Sequence, residues 1–393
     1  MAILIDVFGR KPLLMFTAIP QLCSWILVIA AKNIYVFYLS RFLQGIGDAV
    51  IFNAGATYIG EIAIPSVRGS WGNLFAVCTY LGQLLVNIVG AYYNIRTTAY
   101  IFISLPVIFF ILMLLLPETP YFLLMKEREA EAYKSLRILR WINNVEDELI
   151  SLTKDVKRQN SESGTFKDVF TIPTNRKALL ISMAIRGAQQ FSGLAGFNVY
   201  TQYLFNKAGG DVSAAMSAII YNAILFLLIF AFAFVVDKFG RKPLMTFSSF
   251  ACCIVLLIEA TYFCVDQYRI IDTTNLKWMP LVGMLTFILV CSSGLGILPS
   301  LMLSELFSAS IKSKALCIIH ICFSVYILSV SKLFQVLTSN FGLYVPFYFF
   351  SFCCFLSTIF SYYCMPETKG KTLEEIQQSL RGHKTDQSKK ISP

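Results

Sequence analysis

The stretch Asp6-Val-Phe-Gly-Arg-Lys-Pro-Leu13 returns almost unchanged as Asp237-Lys-Phe-Gly-Arg-Lys-Pro-Leu244, differing only at Val7 against Lys238. Each copy stands at a polar turn between apolar runs. Two further markers follow each copy in the same order. Glu61 is followed by Arg68 as Glu305 is followed by Lys312. Pro117-Glu118-Thr119-Pro120 then closes the first half, and Pro366-Glu367-Thr368-Lys369-Gly370 the second. Ordered markers present twice indicate a duplicated module.

The chain around these markers is built for lipid. Of its 393 residues, 56% are hydrophobic and 14% charged, and the mean hydropathy is +0.64. A soluble domain is about 45–50% apolar and about 25% charged. The 34 Phe and 19 Tyr exceed what a water-soluble core of this size needs. The net charge of +10 is spread between apolar runs rather than gathered in one patch, so no nucleic-acid partner is expected. The 11 Cys lie mostly inside apolar runs without C-x-x-C spacing, and there are 2 His. That composition favours cysteine as packing material and implies no metal, no cofactor and no redox enzyme.

A spanning helix needs about 20 mainly apolar residues, because hydrocarbon offers no partner to a bare backbone group. Ten such runs are predicted, at 12–31, 35–59, 71–92, 98–116, 178–203, 216–236, 244–263, 278–303, 315–337 and 343–363. The expected layout is a lobe at 1–116, a polar connection at 117–177 with short surface helices, a six-span lobe at 178–365 and a tail at 366–393. Alternation from the polar connection places Arg10, Lys11, Arg68, Lys238, Arg241, Lys242, Lys312 and Lys314 on one side. Lys32, Arg96, Lys207, Arg269 and Lys277 fall on the other. The excess of Lys and Arg makes the first side cytoplasmic, with both termini there.

The markers have a local physical logic. Gly allows a tight turn between antiparallel helices, and a carboxylate near a helix end accepts charge-assisted hydrogen bonds from the planar guanidinium of Arg. Asp6, Arg10, Lys11, Arg41, Glu61, Arg68, Glu118, Asp237, Arg241, Lys242, Glu305, Lys312 and Glu367 are therefore candidates for a cytoplasmic latch. Taken together, the D-x-x-G-R-K turns, Tyr58-x-x-Glu61 with Arg68-Gly69 behind it, Pro117-Glu118-Thr119-Pro120, Gln189-Gln190-Phe191-Ser192-Gly193 and Pro366-Glu367-Thr368-Lys369-Gly370 resemble the sugar porter family of the major facilitator superfamily. The animal facilitated glucose and trehalose transporters are the nearest flavour.

The resemblance implies an all-α, polytopic, two-lobed membrane bundle that moves a small-molecule sugar between its lobes by alternating access. It implies a multi-pass protein of the plasma membrane, with the lipid bilayer as its surroundings and no covalent chemistry. Ten spans against the family's twelve imply that the first span and nearly all of the second are missing. The sugar-binding candidates are Gln189 and Gln190, with Asn87, Asn198, Tyr200 and Gly296. Gly294, Gly296 and Pro299 should interrupt the eighth predicted span, giving either a hinge or a close helix contact. Leu194-Ala195 and Pro299-Ser300 depart from the family pattern of Ile-Asn and Pro-Trp. A truncated non-transporting relative or sensor, and a proton-coupled symporter, are the rival readings. Arg41 is assigned by the resemblance to the network of Glu61 and Arg68, and Glu259 is expected to reach the outer interface.

Overall fold

The described residues of the repeat markers sit at or near helix ends. The computed structural model describes residues 2–64, 68–142, 145–161, 164–208, 212–235, 239–307, 309–369 and 375–376, and among these there is helix and no strand. Asp237, the side chain of Arg68 and most of the tail beyond Lys369 lie outside the described residues. The chain divides into two compact units, residues 1–163 and 164–393.

The first unit runs α1 (Ala2–Phe8), α2 (Arg10–Ala30), α3 (Ile34–Val50), a π-turn (Ile51–Gly55), α4 (Ala56–Ile62), α5 (Arg68–Tyr92), α6 (Ile95–Phe102), α7 (Ser104–Leu115), α8 (Pro120–Met125), α9 (Glu129–Arg140) and α10 (Glu146–Ser161). The second runs α11 (Phe166–Thr171), α12 (Pro173–Gln189), a π-turn (Gln190–Leu194), α13 (Ala195–Ala208), α14 (Ala214–Val235), α15 (Arg241–Tyr268), a 3₁₀ turn (Thr274–Leu276), α16 (Met279–Ser293), α17 (Leu298–Leu306), α18 (Ala309–Asn340) and α19 (Tyr344–Cys364). The polar stretch 117–177 is not a body of its own. Its helices α8, α9 and α10 belong to the first unit, and α11 to the second.

Local chemistry sets the helix starts. Asn33 and Asn94 accept the backbone N–H of Tyr35 (3.0 Å) and Thr97 (2.9 Å), and Thr119 caps α8 ahead of Pro120 at its first position. Pro12 and Pro243 stand in the first turns of α2 and α15, where a missing N–H costs nothing. Each of the ten expected runs falls on helix. Among the described residues seven are long and apolar enough to cross a membrane: α2, α6–α7, α14, α15, α16–α17, α18 and α19.

Three expected runs are not among the seven: 35–59, 71–92 and 178–203. α3 and α12 each stop at 17 residues, where a π-turn intervenes, and they carry Arg41, Asp48, Arg186 and Gln189. In α5 the side chains before Val77 lie outside the described residues, and Val77–Tyr92 is apolar. Polar groups at membrane depth belong against protein or a watered cavity rather than against lipid, and the four on α3 and α12 fall under that rule.

Glu259 corrects its expectation. It does not reach an interface but is 1% exposed, and neither carboxylate oxygen has a hydrogen-bond partner among the described residues. It fits into the notch left by Gly283 on α16, where a Cβ would run into its Oε1. The reason is steric: a helix with no side chain at that position lets the neighbouring helix press its carboxyl inward.

Gly283→Ala should overpack this seam and lower stability by about 1–3 kcal/mol. The same change in a Glu259→Ala background should be close to neutral. Thermal unfolding of the four proteins in detergent measures the difference, and additivity of the two changes would contradict the packing.

Candidate functional site

A buried carboxylate holds three chain segments together in each unit. In the first, Arg10 at the start of α2 meets Glu61 at the end of α4, with Nη2 at 2.9 Å and Nε at 3.1 Å from Oε1. Thr119 donates its hydroxyl to the other oxygen at 2.6 Å. Glu118 accepts the backbone N–H of Lys11 at 3.1 Å, which places a negative group at the amino end of α2. Tyr58 donates to the Pro117 carbonyl at 2.7 Å, and the Lys11 ammonium donates to the Leu114 carbonyl at 3.1 Å. Asp6, half-exposed, adds an ion pair to Arg10 at 3.3 Å.

The second unit repeats the arrangement. Arg241 reaches Glu305 Oε1 at 3.1 Å, and the Thr368 hydroxyl donates to Oε2. Glu367 accepts the backbone N–H of Arg241 at 2.9 Å and of Lys242 at 3.1 Å, at the amino end of α15. Glycine is required beside each capping carboxylate. Gly9 has φ +101° and a Cβ there would approach Glu118 Oε2 to 2.5 Å; at Gly240 it would approach Glu367 Oε2 to 2.7 Å. Of the expected latch residues, Asp6, Arg10, Lys11, Glu61 and Glu118 meet in the first unit, and Arg241, Lys242, Glu305 and Glu367 in the second. Lys312 lies half-buried in the first turn of α18.

Arg41 does not join. It lies on the same continuous helical run as Glu61, 20 residues earlier, and at about 1.5 Å per residue that is roughly 30 Å along the axis. Its guanidinium donates instead to Gln44 at 2.7 Å. Two turns further along α3 is Asp48, which accepts the Gln21 amide of α2 at 2.8 Å. Sequence reasoning passed over this carboxylate, although its place in the predicted second run was a sufficient signal.

In the second unit, α12 and the break between α16 and α17 build the polar centre. Gly294-Leu-Gly296-Ile297 separates the two helices as expected, and Gly294 makes the expected close contact. A Cβ at Gly294 would come within 2.6 Å of Leu244 O, while Gly296 leaves its carbonyl open to a side chain. Gln189 fills that role, donating its amide to Gly296 O at 2.8 Å and accepting from Arg186 Nη1 at 2.8 Å. The Arg186 guanidinium lies over the Phe323 ring of α18, 4.7 Å from its centroid. Gln189 and Gln190 are 5% and 4% exposed, buried as their cost in lipid demands.

The π-turn that follows depends on Gly193, at φ +93°, where a Cβ would strike Phe197 and Phe350 at 2.7 Å. Asn198 accepts from Tyr221 at 3.4 Å, and Tyr200 stacks on Phe334 at 5.5 Å while donating to Gln335 at 3.4 Å. Asn87 belongs to the other unit, half-buried on α5, with its amide turned to the Gln83 carbonyl of its own helix at 2.8 Å. Of the expected binding residues the structure therefore joins Gln189 to Gly296 directly and adds Arg186. The sequence showed Arg186 as a charge inside a span but not its link to Gln189.

Apolar helices at membrane length, interrupted by polar π-turns and tied by duplicated carboxylate nodes, define a polytopic helical membrane protein of the major facilitator fold. Solved structures agree on the fold. The inward-open xylose transporter XylE of E. coli superimposes with TM-score 0.75 at 23% identity, covering 95% of this chain and 84% of that one. A proton:xylose symporter XylE bound to 6-bromo-6-deoxy-D-glucose gives 0.76 at 21%, covering 96% and 85%. The chain belongs to the sugar (and other) transporter family, whose sequence profile matches residues 1–380. It is 33% identical over 379 residues to the facilitated trehalose transporter Tret1 of Bombyx mori, covering 96% of this chain and 75% of that protein. It is 32% identical over 382 residues to a Tret1-2 homologue of Drosophila simulans, covering 96% and 78%. Members of this family are carriers and not enzymes.

The two nodes should respond unequally to loss of their arginine. Arg10→Ala strands a Glu61 whose side chain is 13% exposed and should cost about 3–5 kcal/mol. Arg241→Ala should cost less, because Glu305 is 24% exposed and can recover water. Unfolding in detergent ranks the two.

Burial works to raise the Glu367 carboxyl above its ordinary 4.5, but the backbone N–H groups of Lys369, Arg241, Lys242 and Thr368 outweigh it and hold the group lower. A depressed folded value means that this stabilisation is complete above the ordinary value and drains away as pH falls through the folded one. Glu367→Gln should therefore lower the unfolding temperature at neutral pH and lose that deficit in acid. An equal deficit at all pH values would contradict it.

Proposed function

We propose that this chain carries a hexose or a trehalose-like disaccharide down its gradient across the plasma membrane, by alternating access, with both termini in the cytoplasm. The observation that supports it most is the Gln189 amide, buried inside a broken span and held between Arg186 and the Gly296 carbonyl. Amides held on rigid helices suit the hydroxyls of a polyol, and the neighbouring breaks at Gly193 and Gly294–Ile297 let the lining bend around it. Arg186 acts as a positioning residue for Gln189. Gln190, Asn198, Tyr200 and, from the first unit, Asn87 complete the sugar contacts in this reading. The facilitated trehalose transporters at 32–33% identity support a passive disaccharide carrier. The carboxylate nodes then serve as the latch, opening and closing at the end rich in Lys and Arg, which faces the cytoplasm.

Proton-coupled symport is the second reading, favoured by Asp48, a carboxylate within α3 bonded to Gln21 and two turns from Arg41. Uptake that ignores an imposed pH gradient, in wild type and in Asp48→Asn alike, would remove it.

Uptake of labelled trehalose and glucose by the chain in oocytes tests the main reading. Saturable uptake is expected, with Gln189→Ala and Gln190→Ala each reducing it at least tenfold while surface expression holds. No saturable uptake of any sugar by a surface-expressed protein would defeat it.

A further inference from the structure

Helix α9 is hydrogen-bonded to backbone at the ends of longer helices of the first unit. Ser135 donates its hydroxyl to the Glu118 carbonyl at 2.6 Å, just beyond the last residue of α7. Arg140 donates to the Ile62 carbonyl at 2.8 Å, at the last residue of α4, and pairs with Glu148 of α10 at 2.7 Å. One face of α9 is spent on packing: Ala132 is buried with Leu123 and Leu124 of α8 and Val156 of α10, and Ser135 and Leu136 are buried beside it.

The opposite face of α9 carries Lys134, Arg137 and Ile138, spaced by 3 and 4 residues as on one helical stripe, and Trp141 and Ile142 follow directly past its last residue, all five exposed. Trp141 is 94% exposed, Ile138 58% and Ile142 59%. Trp141 takes φ +56° and so closes the helix with its indole turned outward. A contiguous Trp-Ile-Ile surface on a water-facing helix is unfavourable unless something covers it. An indole and two isoleucines flanked by two basic side chains, anchored at the level where spans leave the hydrocarbon, match the interfacial zone of a bilayer.

We propose that this face of α9 is a membrane-surface patch that seats on anionic lipid headgroups, with Trp141, Ile138 and Ile142 in the interface and Lys134 and Arg137 on the phosphates or carboxylates. The patch takes from the proposed function only that this end faces the cytoplasm, where anionic lipid is concentrated. Binding there would tie α8–α10, and with them Glu118 and the α2 node, to the lipid composition of the leaflet.

The full chain, reconstituted in vesicles of phosphatidylcholine with or without phosphatidylserine, tests this without any sugar. Brominated lipids with shallow bromines should quench a component of tryptophan emission that is absent in Trp141→Phe. The quenching should be at least twofold stronger with phosphatidylserine. Lys134→Glu with Arg137→Glu should abolish that difference and leave the weaker quenching in phosphatidylcholine. A Trp141 component open to aqueous acrylamide in vesicles as in detergent would overturn the proposal. A component shielded from both acrylamide and brominated lipid would also overturn it, showing a protein contact instead. Sugar uptake by Trp141→Phe should match wild type, which separates a failed lipid patch from a failed carrier.

Discussion

The interaction on which each unit depends is the buried carboxylate shared by a guanidinium and a threonine hydroxyl. In lipid, apolar side chains gain little by leaving hydrocarbon for one another, so close packing and polar bonds have to specify how helices meet. Glu61 does this for the ends of α4 and α2 and the turn before α8, and Glu305 for α17, α15 and the segment after α19. Each carboxylate joins segments far apart in the chain, so the ends of the bundle are registered by charge while its middle is packed by size. The second acid of each half, Glu118 or Glu367, then caps the helix that supplies the arginine. A single turn of sequence thereby sets both the partner and the starting point of a helix.

Away from these ends the polar groups have a different task. Gln189, Arg186 and Asp48 sit where a plain spanning helix would carry aliphatic residues, and the helices that bear them, α12 and α3, are the ones that run into π-turns. Such turns expose backbone groups that a regular helix would satisfy internally, and they recur at functional positions for that reason. The turn between α16 and α17 frees a carbonyl in the same way, and that of Gly296 is met by the Gln189 amide across 2.8 Å. The result is a rigid polar surface inside an apolar unit, which is what a carrier of a hydroxylated solute requires.

Much of this was legible beforehand. The repeated turns, the positions of all ten helical runs and the set of arginines and acids from which each node is drawn follow from residue order alone, because the motifs have distinctive types and order; which arginine meets which acid does not. The misplaced residues fail for a common reason. Arg41 looks like a member of the network by residue type, but helix rise puts it far from Glu61. Glu259 looks like an interface residue by its place near a span end, but Gly283 on a neighbouring helix opens a space that swallows it. Arg186 was visible as a charge, and its bond to Gln189 was not, since an i, i+3 contact depends on both side chains turning to one side. In each case the missing information was where a side chain falls along or around a helix axis.

The amino-acid sequence alone determined that the chain is a duplicated set of apolar helices with charged hinges, because hydropathy and repetition are properties of residue order. Only the tertiary structure decided which glycine admits a neighbour, which amide faces a carbonyl and which helix face stays open at the unit's edge. Those outcomes turn on a few tenths of an ångström between surfaces remote in the chain, and no pattern along a single strand of letters encodes that distance.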